Sequence, residues 1–177
     1  MGEVLERECK RVSAGSPDLG HQTHLVDIDL YRQGLGACYV VRHQDEVAIL
    51  DCGTPHSAPK VLQTLAAIGT TPEQVRWIIP THVHLDHASG AGALMAACPN
   101  AQLAVHPKGH PHMIDPGKLQ AGAMAVYGEQ NFLRDFGALQ AIEESRTVAA
   151  EDQQLFPLGD AKLRFIHTPG HANHHGC

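Results

Sequence analysis

Thr81-His82-Val83-His84-Leu85-Asp86-His87-Ala88-Ser89-Gly90-Ala91-Gly92 is the stretch on which the reading of this chain turns. It comes after Trp77-Ile78-Ile79-Pro80, a short apolar run ended by proline, which reads as a buried strand. In an extended segment, side chains at i and i+2 point the same way, roughly 6–7 Å apart. His82 and His84 can therefore close on one metal ion as neutral imidazoles, which are good borderline ligands. Asp86 and His87 lie just past them, where the chain must bend, and offer a carboxylate and an imidazole to a second ion. The same two residues would also suit a helix start, where an aspartate is common for capping alone. Four candidate ligands within six residues, directly behind a buried strand, favour metal.

The bulk numbers narrow the choice of chemistry. The 177 residues suit one domain, and 43% hydrophobic composition is enough for a core. A net charge of −6, a pI near 6.1 and the lack of a lysine/arginine run leave no electrostatic footprint for nucleic acid or an anionic membrane. The polar start, Gly2 to Glu8, lacks the apolar region of a signal peptide, and no apolar run approaches a membrane span, so the expected location is cytoplasmic. Five cysteines without Cys-x-x-Cys spacing read as free, mostly packed thiols in a reducing compartment. The 14 histidines outnumber the 13 lysines and arginines and come in groups, compositional support for metal binding.

Taken in order, residues 1–20 are charged and then rich in Ser, Gly and Pro, and read as a mobile arm ahead of one domain over 21–177. Strands are expected at Thr23–Leu30, Ala37–Val41 and Val47–Leu50, the last ending at Asp51-Cys52-Gly53-Thr54. Pro59 opens a helix with Val61, Leu62, Leu65 and Ile68 on one face. Arg76–Ile79 is the next strand; after the histidine cluster, Ala91, Leu94, Met95 and Cys98 form a second helical stripe. Ala101–Val105 returns as a strand. His106 to Pro116 carries three more histidines, and Lys118 to Phe136 reads as a helical stretch whose Tyr and Phe stripe would be core. His110 and His112 line the pocket or belong to a plain surface loop; proline and glycine density suits both. A short strand at Thr147–Ala149, a turn at Leu158-Gly159-Asp160 and a strand at Leu163–Ile166 lead to Thr168-Pro169-Gly170-His171, a sharp turn that presents one imidazole. Several strands succeeded by strand–helix–strand alternation indicate sheet covered by helices, an α+β arrangement.

Thr-His-x-His-x-Asp-His resembles the signature of the metallo-β-lactamase superfamily, which includes glyoxalase II, lactonases, certain nucleases and flavodiiron oxygen reductases. Thr168-Pro169-Gly170-His171 stands where that family carries its next metal-binding histidine, and the likeness runs from roughly Val26 to the last residue. It implies an αββα four-layer sandwich of which this chain holds the N-terminal portion. It also implies His82, His84 and His171 on one ion, with Asp86 and His87 on the other. The cofactor is then zinc, two ions in the family's complete site, with iron or manganese as alternatives. Asp51 resembles the strand-end aspartate that supports the metal loop from behind, although a turn-forming aspartate ahead of glycine reads equally well. His175, four residues past His171, would stand beside the ligands rather than among them.

The activity implied is hydrolysis of an ester, thioester, lactone or phosphoester in a small-molecule substrate. A bound divalent ion lowers the pKa of water to near neutrality, and Asp86 would orient or deprotonate the nucleophile. Ser89 lacks the Gly-x-Ser-x-Gly elbow of a serine nucleophile. Flavodiiron relatives replace one motif histidine with a carboxylate, so histidines here favour hydrolysis over the redox alternative. A third reading is a non-catalytic metal-binding form. The family site also uses a bridging aspartate and a last histidine later in the chain, whereas Gly159-Asp160 precedes His171. A domain truncated at its C-terminus is therefore expected, binding about one ion per chain and turning over little substrate alone. An inner sheet face including Val40, Ile49 and Ile79 would be left uncovered and would drive self-association.

Overall fold

Six short runs rich in branched and aromatic residues pair into one mixed sheet in the computed structural model, which describes residues 18–177. The expected arm lies outside the described residues as far as residue 17. Its end is tied down: Asp18 bridges His24, and the Leu19 amide donates to the Thr23 carbonyl. β1 (Thr23–Asp27), β2 (Ala37–His43) and β3 (Glu46–Leu50) form an antiparallel meander. β4 (Val75–Ile79), β5 (Gln102–Val105) and β6 (Thr147–Ala149) then add in parallel, so the spatial order is β1 to β6 without interruption. Parallel neighbours need crossovers. These are α1 (Ala58–Ala67) between β3 and β4, α2 (Leu85–Ala88) with α3 (Ala91–Ala97) between β4 and β5, and α4 (His110–Ile114), α5 (Gly117–Tyr127) and α6 (Glu129–Asp135) between β5 and β6.

The helices cover one face of the sheet. Val61 and Leu65 of α1 and Leu94 and Met95 of α3 meet Val40, Ile49, Ile78 and Leu103 in the main core. The opposite face carries Ala48, Trp77, Ile79 and Ala104, because the side-chain period of a strand is two. A two-stranded hairpin, β7 (Leu155–Leu158) with β8 (Ala161–Arg164), lies over that face. Phe156 packs edge-on to Trp77 at 4.9 Å between ring centroids, and the Trp77 indole donates to the Pro157 carbonyl at 2.7 Å.

Three expectations are corrected here. Val40 and Ile49 do not belong to an uncovered inner face: both are 0% exposed beneath the helices. Ile49 pairs with Ile78, so Ile79 points the other way, and the hairpin covers it. The helical stretch Lys118–Phe136 is two helices, broken at Gly128, whose φ of +78° suits only a residue without a side chain. Phe132 and Phe136 are core, but Tyr127 is 47% exposed, so the aromatic stripe does not run through. β7 leaves little mark in the sequence: its alternation is short and contains Pro157, which marks an edge rather than a central strand. Among the described residues, Cys38, Cys52 and Cys98 are free and buried, whereas Cys177 is free and exposed. No helix among the described residues is long and apolar enough to cross a membrane.

Candidate metal centre

β3 and β4 end side by side, and the segments leaving their last residues build the site. The Asp51 amide donates to the Ile79 carbonyl, which holds the two strand ends together. Asp51 sits at φ +59°, an uncommon conformation for a residue with a side chain, and it turns the carboxylate beneath the cluster. Its Oδ1 accepts the Thr81 amide at 2.7 Å and the Thr81 hydroxyl at 3.0 Å. Its Oδ2 accepts from His87 Nδ1 at 2.9 Å. A carboxylate in this position only accepts, and these contacts settle the protons around it. The single Thr81 hydroxyl proton goes to Asp51, so His82 Nδ1, 2.9 Å from Thr81 Oγ1, must be the N–H donor there. His82 Nε2 is therefore left with a lone pair.

That lone pair faces the other candidate ligands. His82 Nε2 lies 3.0 Å from His84 Nδ1, which lies 3.1 Å from His171 Nε2. The three ligand atoms all fall within 4.8 Å of one another. Imidazole nitrogens at about 2.0–2.1 Å from a tetrahedral ion stand about 3.3 Å apart, so the donor set fits zinc with little movement. Burial is the main force holding the His82 titration down to about 4, with neighbouring His87 and His84 next. Burial likewise lowers His84, with His171 next. Both rings are thus kept neutral, as metal ligation requires.

His171 arrives from the other end of the chain. The Thr168 amide donates to the His175 carbonyl, and the Gly176 amide donates to the Thr81 carbonyl, fastening the turn to the cluster itself. Gly176 is needed at this point: a Cβ there would stand 2.2 Å from the Phe165 ring.

Asp86 and His87 form a second, chemically different part. α2 begins immediately after His84, whose ψ of 154° is still extended, and turns the chain so that His87 reaches Asp51. His87 Nε2 lies 3.3 Å from Asp86 Oδ2, which brackets the ring between two carboxylates. The Asp51 hydrogen bond, then that of Asp86, outweighs burial and raises His87 to about 10. The same contact with His87 holds Asp86 below the usual carboxylate range. With Nδ1 committed to Asp51, Nε2 is the atom His87 offers to an ion, and a proton competes for it.

The remaining histidines divide. His175 Nδ1 lies 2.8 Å from Thr168 Oγ1, and its ring is 5.2 Å from His82. His110 donates to Thr147 Oγ1, whose own proton goes to the Glu144 carbonyl, and so is engaged at the start of β6. His112 lines a small apolar cavity with Val83, Leu85 and Met113 behind the cluster. His174, which its spacing does not distinguish from its neighbours, also turns to the site. Its Nδ1 accepts the Val83 amide at 3.3 Å, and its ring lies 5.6 Å from His84. The consecutive histidines after Gly170-His171 were its available signal, but spacing alone does not say which one turns inward.

A family model described as the metallo-beta-lactamase superfamily matches residues 31–177. A metallo-beta-lactamase fold-containing protein of Sulfurisphaera tokodaii is 27% identical over 107 residues, 58% of this chain and 40% of that protein. A probable metallo-hydrolase of Burkholderia pseudomallei is 28% identical over 147 residues, 80% of this chain and 43% of that one. The structure of a subclass B3 metallo-beta-lactamase from a soil metagenome superposes with a TM-score of 0.68 at 20% identity, covering 92% of this chain and 55% of that chain. The chain thus spans less than half the length of these curated relatives.

Proposed function

The chain belongs to the metallo-β-lactamase superfamily, and on that premise we propose that His82, His84 and His171 hold one zinc ion at the centre of a metal-dependent hydrolase. The observation that carries the reading is the convergence of three imidazole nitrogens within 4.8 Å, one of them with its lone pair fixed inward by Thr81. Three protein ligands with an open position are the pattern of catalytic rather than structural zinc. When bound, such an ion supplies Lewis acidity that brings the pKa of water near 7.

The protein's own groups then have distinct tasks. Thr81 and Asp51 hold the His82 tautomer and the orientation of His87. Asp86, ionised and partly exposed beside His84, accepts a proton from the nucleophile or orients it. His87 Nε2 with Asp86 offers the beginning of a second cation position. The likeness to the Burkholderia probable metallo-hydrolase supports the reaction class; an ester, thioester or lactone is the bond we propose to be attacked.

The test is the zinc-loaded chain assayed against a panel of such substrates, with chelation and zinc restoration as controls. In a form that turns substrate over, this chain or a longer one containing it, Asp86→Asn is expected to cut kcat by at least about 100-fold while zinc content stays near that of the parent. Equal loss of zinc and turnover would make Asp86 a structural ligand. Turnover indifferent to chelation would refute metal dependence, and stable zinc binding without turnover would leave the non-catalytic metal-binding reading in its place.

A further inference from the structure

We propose that the groove beside the metal centre selects substrates whose distal group is apolar and uncharged. The inference rests on the hydrolase reading for what happens at His84 and Asp86, but its own content is the recognition wall. A groove of about 460 Å³ runs from His84 and Asp86 to Leu30, Tyr31, Leu119, Tyr127 and Phe136. Asp86 is the one carboxylate among the described residues that line it, and no lysine or arginine joins it there. Arg134, on the helix behind this wall, is engaged by both oxygens of Asp135 at 2.6 and 2.8 Å.

The wall is assembled from three separate parts of the chain. Phe136 is buried at its base; Tyr31 meets it edge-on at 6.3 Å between ring centroids, and Tyr127 at 5.3 Å. Aromatic clusters of this kind normally bury their rings, yet Tyr31 is 62% and Tyr127 47% exposed. Tyr31 also holds φ +59°, which is costly for a bulky residue. On either side of it, the Leu30 amide donates to the Leu35 carbonyl and the Arg32 amide to the Leu30 carbonyl. Two rings held open over a groove that leads to the candidate ligands are suited to receive an apolar partner. An anionic end would lose its hydration against those rings with no cation in the lining to replace it.

The probes are N-methyl-4-phenylbutanamide, which is neutral and resists hydrolysis, and the same amide with a carboxylate at the para position of the ring. Binding to the full chain, zinc-loaded and metal-free, is tracked by methyl chemical shifts. The neutral probe is expected to move the Leu30 and Leu119 methyls in both forms, and in the metal-free form, where no bound cation can attract it, the carboxylate probe is expected to bind at least about tenfold more weakly. Tyr127→Ser should weaken the neutral probe about fivefold and Tyr127→Phe should retain it, both at unchanged zinc content. Tyr31→Ser gives a second exposed site should Tyr127→Ser lose its fold. Equal affinity of the two probes for the metal-free chain, or indifference to both serine variants, would overturn the proposal. Probe binding in a chain that takes up no zinc would sink the metal reading and leave the groove. Zinc uptake without any shift from the neutral probe would do the reverse.

Discussion

His82 and His87 stand 4.2 Å apart between ring centroids and come from the same short motif, yet they are driven to opposite charge states. His82 is held down to about 4 by burial among other imidazoles, whereas His87 is lifted to about 10 by two carboxylates. The contrast shows that a histidine-rich motif does not by itself make equivalent ligands. Asp51 decides the difference, touching His82 only through the Thr81 hydroxyl but His87 directly. The His82 side presents a neutral ring with its lone pair turned to His84; the His87 side holds a proton between two carboxylates.

The strongest way to break this comparison is to remove the neutral member. His82→Ala should lower zinc affinity by more than the roughly 10–100-fold typical of losing an outer partner. Metal content by mass spectrometry after dialysis would decide it, and an unchanged ratio would refute the assignment.

Asp51→Asn sharpens the comparison. It keeps the shape but places an amide where His87 needs an acceptor, so zinc affinity should fall roughly 10–100-fold. In the metal-free chain, His87 should titrate closer to the ordinary value of about 6.5. The stability effect has a definite sign. Because the folded-state value is raised to about 10, the stabilisation is complete below the unfolded value and is lost as pH climbs through about 10. The melting temperature of metal-free protein should fall across that window, and Asp51→Asn should flatten the fall. A parent profile already flat would show that the bracketed proton contributes nothing.

A smaller effect is expected from Gly176→Ala, which changes no ligand. The added methyl meets the Phe165 ring, and overpacking of this kind costs about 1–3 kcal/mol. The loss should appear in thermal melts together with weaker zinc binding, since the Gly176 amide ties the His171 turn to Thr81. A lower melting temperature with unaltered zinc affinity would mean that His171 is positioned without that tie.

Much of the site and the fold is legible in the amino-acid sequence alone. The His82, His84, Asp86, His87 spacing and the later Thr-Pro-Gly-His point to the family and to the triad. The strands β2 to β5 and the faces of α1 and α3 emerge from local periodicity. Those signals are local: a period of two or 3.6 and a ligand pair at i and i+2 are written in neighbouring residues. The features that required tertiary structure are long-range. The ends of β3 and β4 place Asp51 beneath Thr81 and His87, 30 and 36 residues away. The register of Ile49 on Ile78 sends Ile79 to the opposite face, where β7 and β8 cover it. Charge was decided there too, because a histidine's titration depends on which carboxylates the fold brings within hydrogen-bonding distance. Identity and spacing therefore specified the candidate ligands, while packing specified which of them is neutral, which carries a proton, and which wall of aromatic rings stands beside them.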